Sequence, residues 1–138
     1  MSLKSPESVC RKALVNDAAV SALIGSRAYP VLAPAEAALP FLTWRRSAVQ
    51  REHTLAGPLG MPTVLMAVEV YAATYEGVRD LADKCRQVLD GYGATVDNTE
   101  VKNVSLDNEA DGFVQLAGGD IPPVYVVTQT YSIRWQET

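Results

Sequence analysis

"VLMAVEVYAATYEGVRDLADKCRQVLDGYG", residues 64–93, changes its apolar period part-way along, from every second residue to about every 3.6. Val64, Met66, Val68 and Val70 share one wholly apolar face. Leu65, Ala67, Glu69 and Tyr71 share a mixed one, as in a half-covered strand. From Tyr75 the apolar stripe becomes helical, through Val78, Leu81, Ala82, Cys85, Val88 and Leu89. Thr74 is placed to cap its start, Glu76 suits the first-turn dipole, and Gly91 stops it. Arg79, Asp80, Asp83, Lys84, Arg86 and Asp90 fall outside the stripe. The stretch therefore predicts a strand running into an amphipathic helix that lies on a sheet.

Upstream, Ser5-Pro6 opens a helix through Val9, Cys10, Ala13 and Leu14. Asn16-Asp17 breaks or recaps it, and a short turn from Ala18 to Ile24 ends at Gly25. Pro30, Pro34 and Pro40 make residues 27–40 an extended wrap with little ladder pairing. A strand from about Phe41 to Val49 follows, and Leu39–Trp44 and Val64–Ala73 pair as antiparallel neighbours. Residues from about Arg45 to Pro62, with turn signals at Gly57-Pro58 and Gly60, then project as a polar arm.

Downstream, residues 100–106 read as a modest strand and 107–123 as a loop. In "VYVVTQTYSIRW", residues 124–135, Tyr125, Val127, Tyr131, Ile133 and Trp135 share a face broken only by Gln129. The order is α-β-β-α-β-β. The class is α+β, one domain over residues 1–138, with two helices on a mainly antiparallel sheet and a long β-hairpin arm.

The bulk numbers agree with a globular chain: 138 residues, 48% hydrophobic and 20% charged. No apolar run approaches the ~18 residues of a membrane span, and "MSLKSPESVC" has no signal-peptide core, so folding in a cytoplasm is expected. Cys10 and Cys85 fall on apolar helix faces and are expected to be reduced core thiols. A net charge of −4 and a pI near 4.9 argue against a surface built to hold nucleic acid. Residues 1–55 carry seven Lys/Arg against four Asp/Glu, or +3. Residues 56–138 carry five against twelve, or −7. If those halves form different faces, copies can meet head to tail.

Nothing in the sequence assembles a reaction centre. His53, the only histidine, lies in the polar arm beside Glu52, the segment least able to hold a triad rigid. "DNEADG", residues 107–112, copies the first half of an EF-hand loop, but its twelfth position is Gly118 and its flanks are not helices. It is read as a turn with solvated carboxylates. No glycine-rich phosphate cradle occurs. No catalytic residue, metal or cofactor is expected. Arg45, Arg46 and Arg51 form a small basic patch beside Trp44, either solvated or paired with acidic groups of a neighbouring chain. With His53, Leu55 and Leu59 of the arm they are the candidate oligomer or tube interface.

The order of "NDAAVSALIGSRAYP", "LAP", "LPFLTWRR", "HTLAG", "VEVYAATYEGVRDLADKCRQVLDGYG" and "VYVVTQTYSIRW" resembles the tail-completion (tail-terminator) proteins of long-tailed phages and prophages. The resemblance covers nearly the whole chain and carries no catalytic motif. It implies an α+β protomer that assembles into a ring, usually a hexamer, on the head-proximal end of the tail tube. The ring ends tube polymerisation and docks on the head connector. Its implied partners are itself, the tail-tube protein and the head-connector protein, with DNA passing only as cargo and no membrane. Assembly in the host cytoplasm and residence in the virion tail follow. Another head–tail connector component (head-closure or neck adaptor) and a small-ligand-binding or enzymatic domain are the alternatives.

Overall fold

Three helices lie on one face of a six-stranded sheet in this computed structural model, which describes residues 6–33, 38–51, 53–54, 57–58, 62–96, 99–114 and 124–136. The elements are α1 (Pro6–Asn16), α2 (Ala18–Ile24), β1 (Ala28–Pro30), β2 (Phe41–Gln50), β3 (His53–Thr54), β4 (Gly57–Pro58), β5 (Thr63–Ala72), α3 (Tyr75–Leu89), β6 (Ala94–Val96), β7 (Thr99–Val114) and β8 (Val124–Gln136). The sheet runs β1-β2-β5-β8-β7-β6, and β3 and β4 make a separate two-stranded sheet.

The decisive stretch folds as its periods dictate. Val64, Met66, Val68 and Val70 are buried under the helices, and α3 spans the residues its stripe marks out. Thr74 Oγ1 accepts the Gly77 N–H at 3.0 Å, capping α3. At its other end Gly91 takes φ +85, a value open to glycine, and its N–H donates to Val104 O at 2.7 Å. Val127, Tyr131, Ile133 and Trp135 of β8 complete the core beside Leu14, Val20 and Ile24 of the first two helices.

Four expectations are corrected. The two-helix count becomes three, because Asp17 separates α1 from α2, its carboxylate accepting the N–H groups of Ala19 and Val20. The proline-rich wrap contributes β1, which pairs parallel with β2, so the sheet is mixed and the order α-β-β-α-β-β gains β1 and β6. Residues 107–114 are strand, not loop: β7 pairs with β8 through Val114↔Val124. Tyr75 leaves the apolar stripe and stands 49% exposed, donating its hydroxyl to Asp111 at 2.8 Å.

Among the described residues, no helix is long and apolar enough to cross a membrane. Both cysteines are free and buried. Burial pushes each thiol from 9.0 up to about 12, with Glu7 adding to the shift at Cys10 and Asp17 at Cys85. Burial also raises the Tyr131 hydroxyl. A raised folded-state pKa contributes stability that is complete below the unfolded value and lost as pH rises through the folded one. Thermal melts should therefore hold steady to about pH 9 and fall above it. Both thiols contribute to that loss as the pH climbs toward about 12. A melting temperature that stays flat across that window would show that the thiols ionise freely in the fold.

Candidate assembly interface

β2 and β5 form the stem of the arm, and their ladder is longer than the sequence suggests. It runs from Phe41↔Tyr71 to Gln50↔Thr63, with an irregularity between Arg46 and Ala48. Arg45 and Arg46 are therefore ladder residues of a paired strand, and the ladder ends at Gln50↔Thr63. At the irregularity Ser47 Oγ donates to Leu65 O at 3.0 Å. Beyond it, β3 and β4 pair through His53↔Pro58 and Thr54↔Gly57. Leu55 and Leu59 lie outside the described residues, as does the His53 side chain.

The arginines are already engaged within the chain. Arg46 forks onto the Glu7 carboxylate, Nε at 2.6 Å and Nη2 at 3.3 Å, and Glu7 is buried in the first turn of α1. Arg45 Nε stands 3.7 Å from Glu69 Oε1 on the helix-free face, and Glu69 also accepts the Tyr71 hydroxyl at 3.0 Å. Tyr71 stacks on Phe41 at 4.8 Å between ring centroids, and Tyr29 meets Phe41 edge-on at 6.0 Å. Arg51 is exposed just past the last rung of the stem. Arg46→Ala would leave the buried Glu7 carboxylate without its guanidinium. Because the Arg46 side chain is 39% exposed, water relaxes in, and the expected cost is about 1–3 kcal/mol in urea unfolding.

The opposite side of the sheet is acidic. "DNEADG" lies within β7, and its carboxylates are tied down in a strand. Asp107 accepts the Ser132 hydroxyl. Asp111 takes Tyr75 at 2.8 Å and Arg79 at 3.2 Å, and Glu109 stands 3.4 Å from the same guanidinium. Glu109 also accepts from Gln129 Nε2 at 2.7 Å, and the same amide nitrogen reaches Ala82 O at 2.8 Å. The Tyr131 hydroxyl donates to Gln129 Oε1 at 2.7 Å. The polar break in the β8 face is thus a fully bonded amide that locks α3 onto β7 and β8.

The chemistry this supports is recognition by strand edges, charge and aromatic surface. Among the described residues no three His, Cys, Asp or Glu side chains stand where they can share a metal ion. An open groove of about 680 Å³ lies on the helix side, lined by Lys12, Asp17, Lys84, Gln87 and Tyr92 among others. Lys84 there is held by Asp80 at 2.6 Å. Sequence reasoning missed Val31 and Leu32, which stand 68% and 80% exposed beside β1. Their signal is two apolar residues between Pro30 and Pro34. Val31 also holds φ +64, a left-handed conformation costly for a β-branched residue, as its N–H bonds Trp44 O at 2.7 Å.

A family model described as Tail completion protein gp17 matches residues 10–134. No curated protein sequence matches the chain. Among solved structures, a chain of the virion of a native gene transfer agent particle superposes with a TM-score of 0.77 at 13% identity. The match covers 96% of this chain and 95% of that one. At that identity the likeness is one of fold.

Proposed function

The chain belongs to the Tail completion protein gp17 family and is a structural tail protein, and from that premise we propose that it caps the tail tube. In this reading copies form a ring, six in number, on the head-proximal end of the tube. The ring ends tube polymerisation and presents its far side to the head connector. What supports the reading is the family match over residues 10–134, joined to a sheet with a basic stem on one side and an acidic strand on the other. The arm carries the grip: Arg45, Arg46 and Arg51 at its base, with His53, Leu55 and Leu59 further out. No step of bond-making chemistry belongs to the role, which is that of a polymer cap. A net charge of −4 suits a lumen through which DNA passes as cargo without being held.

The test is to add purified protein to polymerising tail-tube subunits and image the products. Short tubes bearing a ring at one end are expected. Tubes of unchanged length with bare ends would overturn the capping role.

A further inference from the structure

Among the described residues, each side of the sheet is flanked along one half and not along the other. On the β1 side, Leu42 N–H bonds Arg27 O at 3.1 Å and Val31 N–H bonds Trp44 O at 2.7 Å. The alternate residues Ala28 and Pro30 therefore face outward. Their backbone groups are closed: Ala28 N–H bonds Ser26 O at 2.8 Å, and Ala28 O accepts Arg11 Nε at 3.1 Å. Pro30 has no N–H, and its carbonyl takes Leu32 N–H at 2.6 Å. A further strand cannot add there. Past Trp44, however, β2 has no strand on this side among the described residues.

The far side repeats the pattern. β6 pairs with β7 over residues 99–101 only. Val104 O is then taken by Gly91 N–H at 2.7 Å and Leu106 N–H by Asp90 Oδ1 at 3.1 Å. After Leu106, residues 107–113 have no strand on that side among the described residues. A long unblocked strand edge is a template for pairing with another chain, and proteins that do not use one usually protect it. Here, among the described residues, protection covers half of each edge.

We infer that these two stretches of edge pair with each other between copies. The strand at residues 45–50 of one protomer adds antiparallel to residues 107–113 of the next. This rests on the ring reading above and names the surfaces that would make the ring. Three observations carry it. Polarity fits: β2, β5, β8 and β7 alternate in direction, so β2 of a like-oriented neighbour meets β7 antiparallel. Charge fits on the helix side. The alternation puts Arg46 there with Glu109 and Asp111, which lie opposite it when the two edges are laid centre to centre. The edges also differ from one another, so the contact is heterologous. A heterologous contact can close into a ring, where a self-complementary one stops at a dimer.

The experiment uses the full chain carrying Ala48→Cys and Ala110→Cys, both at exposed alanines on the helix-free face. Laid antiparallel and centre to centre, the two positions are cross-strand neighbours within about 5–8 Å. Cys10 and Cys85 stay silent because burial pushes their thiols up to about 12. A short bismaleimide, with tail-tube subunits present, should give a ladder of cross-linked multimers from the double variant. It should give dimers only from a mixture of the two single variants, and none from either alone. Self-cross-linking of a single variant would overturn the inference by showing a self-complementary contact. Rings by native mass spectrometry without a ladder would overturn it while leaving the ring intact. A protein that stays monomeric by mass, with and without tube, would overturn the ring reading as well.

Discussion

Gln129→Ala is expected to remove about 3–5 kcal/mol of stability, among the largest losses any single substitution here can cause. The side chain is fully buried and makes three hydrogen bonds, to Ala82 O, Glu109 and Tyr131. Truncation opens a cavity, which for side chains of this size costs about 2–5 kcal/mol. It also leaves the Tyr131 hydroxyl, itself fully buried, without an acceptor, at about 1–3 kcal/mol. Domains of this kind hold only about 5–15 kcal/mol in all. Two companion variants separate volume from bonding. Gln129→Leu fills most of the space but bonds nothing, so it should still cost about 2–3 kcal/mol. Gln129→Glu cannot donate to Ala82 O and sets a second carboxylate against Glu109, so its urea midpoint should rise as pH falls and the new group protonates. A leucine variant as stable as the parent would show that packing alone holds α3 to the sheet.

That amide was visible before the fold was. In residues 124–135 it is the one polar residue on an otherwise apolar face, and the faces of β5, α3 and β8 were equally plain because a half-buried element writes its period into its side chains. β1 was hidden for a physical reason. An edge strand bonds through alternate residues, so Pro30 sits where no N–H is needed, and a proline-rich segment still pairs. The end of β7 was hidden likewise: "DNEADG" has the composition of a turn, but an edge strand tolerates charge and glycine. In the site, the basic stretch was legible by composition. The fork between Arg46 and Glu7, 39 residues apart, is a tertiary contact that no local pattern encodes. Tyr75 misled because an aromatic at stripe spacing can equally end its helix in a polar contact, as its bond to Asp111 shows.

Replacing residues 51–61 with Asn-Gly should leave a folded monomer that neither forms rings nor caps tubes. The deletion begins past the last β2 rung, Gln50↔Thr63, and spares Pro62, whose carbonyl accepts Trp135 N–H at 3.4 Å. It removes none of the described core residues, and a shorter loop costs less closure entropy, so the melting temperature should move by only a few degrees. Assembly should respond very differently. Pairing residues 45–50 with a neighbour's β7 adds on the order of six backbone hydrogen bonds at about 0.5–1.5 kcal/mol each, some 3–9 kcal/mol. Association costs about 4–15 kcal/mol in lost freedom. Strand edges alone therefore set polarity and register but do not hold a ring at micromolar concentration. The surplus must come from area beyond the stem, and the arm that leaves the same edge is placed to supply it. Native mass spectrometry should show monomer only, with the cross-linked ladder gone and tube growth unchecked. Normal rings that still stop tube growth would show that the grip lies elsewhere on the sheet. Rings that form but fail to stop growth would assign the arm to the tube instead of the neighbouring copy.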